Sequence, residues 1–127
     1  MNGTNRFFIL RHDTDHPHYD LRLEFEENIK SWILPNRIPI KVNEKALAIE
    51  EKEEELKLNG STNFLKDKYG TGNLELLDGG YFKIIERKSD RMVFEAKGDL
   101  FEGNFVFIVP SWGRSSKQRV WVLFKTN

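Results

Sequence analysis

The sequence predicts a mainly β protein, a compact closed β-barrel of about eight strands with little helix. Two observations carry that expectation. Apolar and polar residues alternate at period two over several short stretches, which is the repeat of a strand and not of a helix. Turn residues punctuate the chain roughly every ten positions, the spacing of a sandwich or closed barrel.

Phe7-Phe-Ile-Leu10 is the first expected strand. Tyr19-Asp-Leu-Arg-Leu-Glu-Phe25 alternates strictly, and Ile29-Lys-Ser-Trp-Ile-Leu34 follows a turn at Glu26-Glu-Asn28, so the two are expected to form a hairpin. Pro35 and Pro39 end it, because proline cannot donate to a ladder. Ala46-Leu-Ala-Ile49 starts another strand. Glu50 to Glu55 then reads as helix by propensity or as a solvated segment, and Asn59 to Asn63 as a loop.

In the second half, Gly72 to Leu77 is expected to meet Tyr81 to Ile85 across a hairpin turn at Asp78-Gly79-Gly80, since such residues supply positive φ. Arg91 to Ala96 follows a turn at Lys88-Ser-Asp90, Asn104 to Val109 follows Glu102-Gly103, and Arg119 to Lys125 closes the chain. Trp32 and Trp121 are expected in the core. No repeat or linker divides the sequence, so residues 1–127 read as one domain.

Lys+Arg and Asp+Glu are both 20, giving zero formal net charge. That excludes a globally basic mode of nucleic-acid binding and leaves a local basic patch open. The 10 Phe, 3 Trp and 3 Tyr argue against disorder. Cysteine is absent, which removes disulfides, thiolate zinc sites and a cysteine nucleophile. No apolar run approaches the ~20 residues of a membrane span, and the start lacks the apolar stretch of a secretory signal. A soluble cytoplasmic domain without membrane contact is the expectation.

All three histidines, His12, His16 and His18, fall within seven residues. Alternation puts Tyr19, Leu21, Leu23 and Phe25 on one face, and His18, Asp20, Arg22 and Glu24 on the other. His18 and Asp20 can share one cation, and His12 can reach it from the preceding strand. Two imidazoles and a carboxylate suit Mn, Fe or Zn and leave positions open for substrate. Arg22 beside such a cation favours an anionic substrate, because its fork matches phosphate. The same residues also read as a solvated strand with ordinary ion pairs. His16 precedes Pro17, off the alternating register, and reads as a loop histidine.

Phe8-Ile-Leu-Arg-His12, His18-Tyr-Asp-Leu-Arg-Leu-Glu24, and Leu34-Pro35 after Lys30-Ser-Trp32 resemble the 3′-phosphoesterase domain of bacterial DNA ligase D and its stand-alone forms. Lys68-Tyr-Gly-Thr-Gly72 is similar to that family's Glu-Tyr-Gly-Ala-Gly turn, and Trp121-Val-Leu-Phe-Lys125 to its closing strand. The resemblance implies a β-barrel that trims DNA 3′ ends with a metal, preferably manganese. It would remove a 3′-terminal ribonucleoside, in some members followed by the phosphate. Primer–template ends would be the substrate, and a separately encoded DNA ligase or polymerase is the partner class that fits. By position, His12, His18 and Asp20 would hold the metal, Arg22 would contact the phosphate, and Glu24 would neighbour them.

The departures from the family lie in its second catalytic patch. The family's arginine is Ala46 here, its histidine falls on Glu54, its tyrosine on Leu58, and a lysine aligns with Asn36. Glu54 would serve as a fourth ligand or a general base. The chain starts just before the first strand, where the family's N-terminal segment would lie, so phosphate removal is the step expected to suffer. A degenerate module that binds DNA ends or a repair partner without turnover is the alternative. From Pro110 onward, Arg114, Lys117 and Arg119 stand with no acid around the expected flexible loop Ser111-Trp-Gly-Arg114, a set that could touch a DNA backbone or remain solvated.

Overall fold

The alternating segments build a closed barrel, seen in a computed structural model that describes residues 4–13, 15–51, 64–67, 70–114 and 119–127. In chain order the elements are β1 (Thr4–Asp13), β2 (His18–Glu24), β3 (Ile29–Leu34), β4 (Lys45–Glu50), β5 (Phe64–Asp67), β6 (Gly70–Lys88), β7 (Arg91–Lys97), β8 (Glu102–Ile108), α1 (Ser111–Arg114) and β9 (Val120–Lys125). The ring runs β1-β2-β3-β4-β9-β8-β7-β6, and β6 pairs back with β1, so eight antiparallel strands close. Closure removes the exposed edges of an open sheet. Among the described residues β5 pairs with the start of β6 alone, outside the ring.

The inward residues form an aromatic core. Phe7, Phe82, Phe94, Phe101, Phe105, Phe107, Trp32 and Trp121 are all buried, as expected for the two tryptophans. Phe101 stacks on Phe105 at 4.1 Å, and Phe107 lies 4.8 Å from both Trp32 and Trp121. Each such ring removes a large apolar area from water, on the order of 1.5–3 kcal/mol per side chain.

The hairpin expected at Asp78-Gly79-Gly80 is not there. β6 runs through these residues as one 19-residue strand. Neither glycine has positive φ; among the described glycines only Gly103 does, at 126°. The glycines allow close approach instead: a Cβ on Gly80 would stand 2.0 Å from the Lys97 carbonyl oxygen. The ladder with β1 slips here, Ile9 facing Asp78 and Leu10 facing Leu76. Leu77 is therefore the extra residue of a bulge, which re-aims the strand. The buried Asp78 carboxylate accepts hydrogen bonds from the backbone N–H of Gly79, Asp99, Leu100 and Phe101 at 2.7–3.0 Å. Burial pushes its pKa up, but the four hydrogen bonds outweigh this and hold it below the usual carboxylate range. The composition Asp-Gly-Gly fits a turn and a bulge equally well.

The expected loop at Ser111–Arg114 is also corrected: it is one helical turn. Gly113 is buried there because a Cβ would stand 2.3 Å from the Val120 carbonyl oxygen. Glu50 ends β4 and accepts from Trp121 Nε1 at 2.7 Å, so it is part of the barrel and not of a helix. The rest of the glutamate run, the Asn59–Asn63 loop and the residues 68–69 lie outside the described residues.

Candidate metal centre

The β1–β2 ladder sets the site. Its register places His12 opposite His18, Leu10 opposite Asp20 and Phe8 opposite Arg22. Residues directly opposite in an antiparallel pair share a face. His12, His18, Asp20 and Arg22 thus share the outward face, while Phe7, Ile9, Leu21 and Leu23 fill the core. Outward does not mean exposed here. His12, His18 and Asp20 are only 0%, 3% and 6% exposed. Burying two imidazoles and a carboxylate is costly unless they are paired or share a ligand.

The ring orientations are specific. His18 Nδ1 lies 2.8 Å from the His16 carbonyl oxygen, which can only accept. Nδ1 therefore carries the proton, and in a neutral ring the lone pair sits on Nε2. Nε2 lies 3.6 Å from Asp20 Oδ1, and His12 Nδ1 lies 3.9 Å from Asp20 Oδ2. Both distances are too long for hydrogen bonds. They fit donors that share one ion, since two ligands each about 2.0–2.2 Å from a cation stand roughly 3–4 Å apart. One ligand atom from each of the three residues lies within 4.8 Å of the others. The donor set suits a first-row divalent metal.

The other expected site residues divide. Arg22 is half-buried and follows Asp20 on the same face, about 6.5–7 Å along the strand. Glu24 is one such step further, too far to join the triad's ligand set. Ala46 is buried on β4, and Asn36 lies in the connection after β3. Glu54, Leu58 and Lys117 lie outside the described residues. Arg114 pairs with Asp90, and Arg119 donates to the Ser89 carbonyl at 2.9 Å while lying over Trp121. Both arginines thus tie down the β6–β7 turn. That turn follows Lys88, at one end of β6, whereas His12 faces Leu74 near the other end. The structure does not bring these cations to the triad. The sequence reading also missed the role of His16, which acts through its carbonyl; a histidine before proline carries no signal for that.

Among the described residues, no helix is long and apolar enough to cross a membrane. The profile of the DNA Ligase D 3′-phosphoesterase domain matches residues 10–109. The multifunctional non-homologous end joining DNA repair protein LigD of Mycobacterium tuberculosis is 30% identical over 109 residues, covering 82% of this chain and 14% of that protein. The multifunctional non-homologous end joining protein LigD of Pseudomonas aeruginosa is 25% identical over 129 residues, covering 97% of this chain and 15% of that protein. That of Mycolicibacterium smegmatis is 32% identical over 84 residues, 64% of this chain and 11% of that protein. The chain therefore spans only a small part of the length of these relatives. With a match across most of its length and a buried His-His-Asp face in the same stretch, the chain belongs to the DNA ligase D 3′-phosphoesterase domain family.

Proposed function

We propose that this chain is a metal-dependent phosphoesterase that trims DNA 3′ ends during repair by end joining, removing a 3′-terminal ribonucleoside. The observation that carries the reading is the buried convergence of His12, His18 and Asp20 within 4.8 Å. A divalent cation, manganese by the family's preference, would supply positive charge against the charge that develops on the phosphate.

The chain's own residues do the rest. The His16 carbonyl fixes the His18 tautomer, so Nε2 presents its lone pair without reorganisation. Asp20 would supply the negative charge for a cation held together with His12 and His18. Arg22, next on the same face, reaches the phosphate and stabilises its transition-state charge through its fork of N–H donors. Glu24 borders that position. Removal of a 3′-phosphate is the weaker activity, because the dianion needs more cationic contacts and Ala46 offers none where the family has arginine. Ala46 also favours the second reading, a DNA-end binder without turnover, for which a separately encoded ligase or polymerase would do the chemistry.

One assay separates them. The protein is incubated with a primer–template bearing one 3′-terminal ribonucleotide, with and without Mn²⁺. Metal-dependent release of the nucleoside is the expected result. Binding of the end with no product from ribonucleotide or phosphate termini would sink the enzyme reading.

A further inference from the structure

The face that carries the triad continues across β3 onto β4. Asp20 stands level with Ile33, and Ile33 with Ile49. Leu47 lies two residues from Ile49 on the same face, in the direction of His18. Val122 of β9 is its partner on the far side. Neighbouring strands are about 4.8 Å apart, so Leu47 stands two strands, about 10 Å, from His18. An open cavity of about 500 Å³ lies there, lined by Leu47 and Val122 and by Asn36, Arg37, Glu44 and Lys45. The loop that brings Arg37 to it is pinned: Asn43 N–H donates to the Lys125 carbonyl at 2.8 Å, and Lys125 Nζ to the Ile40 carbonyl at 3.0 Å. Glu44, the one acid in this lining, accepts from the backbone N–H of Ile40 and Lys41 at 2.9 and 3.0 Å, so its carboxylate is turned onto its own loop. Lys45 Nζ is held over the Phe124 ring at 5.3 Å. Among the described residues neither Arg37 nor Lys45 is drawn into an ion pair. Two cations thus face a cavity whose only acid is already engaged.

We propose that this cavity is a second anion site, in which Arg37 and Lys45 hold a backbone phosphate of the paired DNA whose 3′ end lies at the triad. The position of that end rests on the end-processing reading. A duplex carries one charge for about every 1.7 Å of its axis, so an end seated at the triad brings further phosphates within reach of the cavity. A lone phosphate ion would leave most of the volume empty. Leu47, 42% exposed, and Val122 suit the apolar side of the deoxyribose that accompanies a backbone phosphate. Contacts of this kind fix the register of the DNA and carry no base specificity, which is what an enzyme working at any 3′ end requires.

The test is fluorescence anisotropy in Mn²⁺ with a 5′-labelled all-DNA primer–template, which has no ribonucleotide to remove, over a series of salt concentrations. Arg37→Ala and Lys45→Ala should each weaken binding and lower the slope of log K against log salt by about one, the signature of one lost phosphate contact. Arg37→Lys keeps the charge and should keep the slope. Both side chains are exposed, so the variants should melt as the wild type does. Lys97→Ala, at an exposed residue of β7, removes a charge away from the cavity and should leave the slope unchanged. With a ribonucleotide-terminated primer–template, KM should rise in the two alanine variants while kcat holds. Wild-type slopes and KM in both would overturn the cavity as a phosphate site and leave the end-processing reading standing, as would an equal fall in slope in Lys97→Ala. A protein that binds the duplex through Arg37 and Lys45 but releases no product keeps the site and sinks the end-processing reading instead.

Discussion

His12 and His18 are direct partners across the β1–β2 ladder, and their rings meet edge to face with centroids 5.0 Å apart. The pairing places two imidazoles on one face before any ion arrives. Asp20, two residues along the same strand, brings its carboxylate between them. Preformed ligands of this kind lose little freedom on binding, so the site should bind metal without refolding.

Metal should therefore raise thermal stability. At a Mn²⁺ concentration of 100 times Kd, linkage gives about 2.7 kcal/mol. Asp20→Ala should lose that gain in a thermal melt. Its turnover should fall by more than the roughly 10–100-fold that losing an outer-shell partner costs. An Asp20→Ala protein that still melts higher with Mn²⁺ would place the metal elsewhere.

The triad was legible in the sequence because its geometry is local. Two of its members sit at i and i+2 of one alternating strand, and the third lies just upstream on the neighbouring strand of a hairpin. Their burial was not legible, because alternation alone puts them on the face away from the core. Asp78 was misread for a related reason. Three of its four backbone partners, Asp99, Leu100 and Phe101, lie 21–23 residues away, and nothing beside it announces them.

Asp78 should make stability depend on acid. An unfolded aspartate titrates near pH 3.9. The folded carboxyl lies lower, so its contribution is complete above that value and fades as pH falls through the folded pKa. Asp78→Ala leaves the buried Phe101 N–H and three part-buried N–H groups without their acceptor; an unsatisfied buried group costs about 1–3 kcal/mol, so a loss of about 2 kcal/mol or more is expected at neutral pH. Urea melts of both proteins should converge as pH drops below that range. A constant difference down to strong acid would contradict the ionised carboxylate.

Arg114→Ala and Arg119→Ala test the separation of the two ends of β6. Both arginines are tied to the β6–β7 turn through Asp90 and Ser89. Arg114 is an exposed ion-pair member, so its loss should cost no more than about 1 kcal/mol. Neither change should alter KM for an oligonucleotide end. A rise in KM of tenfold in either variant would put these cations on the DNA surface.

Gly80 and Gly79 test whether β6 is continuous. A Cβ at Gly80 would sit 2.0 Å from the Lys97 carbonyl oxygen, a backbone atom fixed by the β6–β7 ladder. The strands must part to admit it, and a loss of about 3 kcal/mol or more is expected, at the upper end of overpacking costs. At Gly79 the nearest atoms are 3.5 Å away, an ordinary contact, and φ is not positive. Gly79→Ala should then be neutral, or stabilising by up to about 1 kcal/mol through the unfolded chain. A tight hairpin turn with positive φ at both glycines would penalise both changes alike. Equal losses in urea melts of the two variants would restore that turn and break β6 in two, whereas a large loss at Gly80 alone requires the continuous strand that carries Leu74 to its place opposite His12.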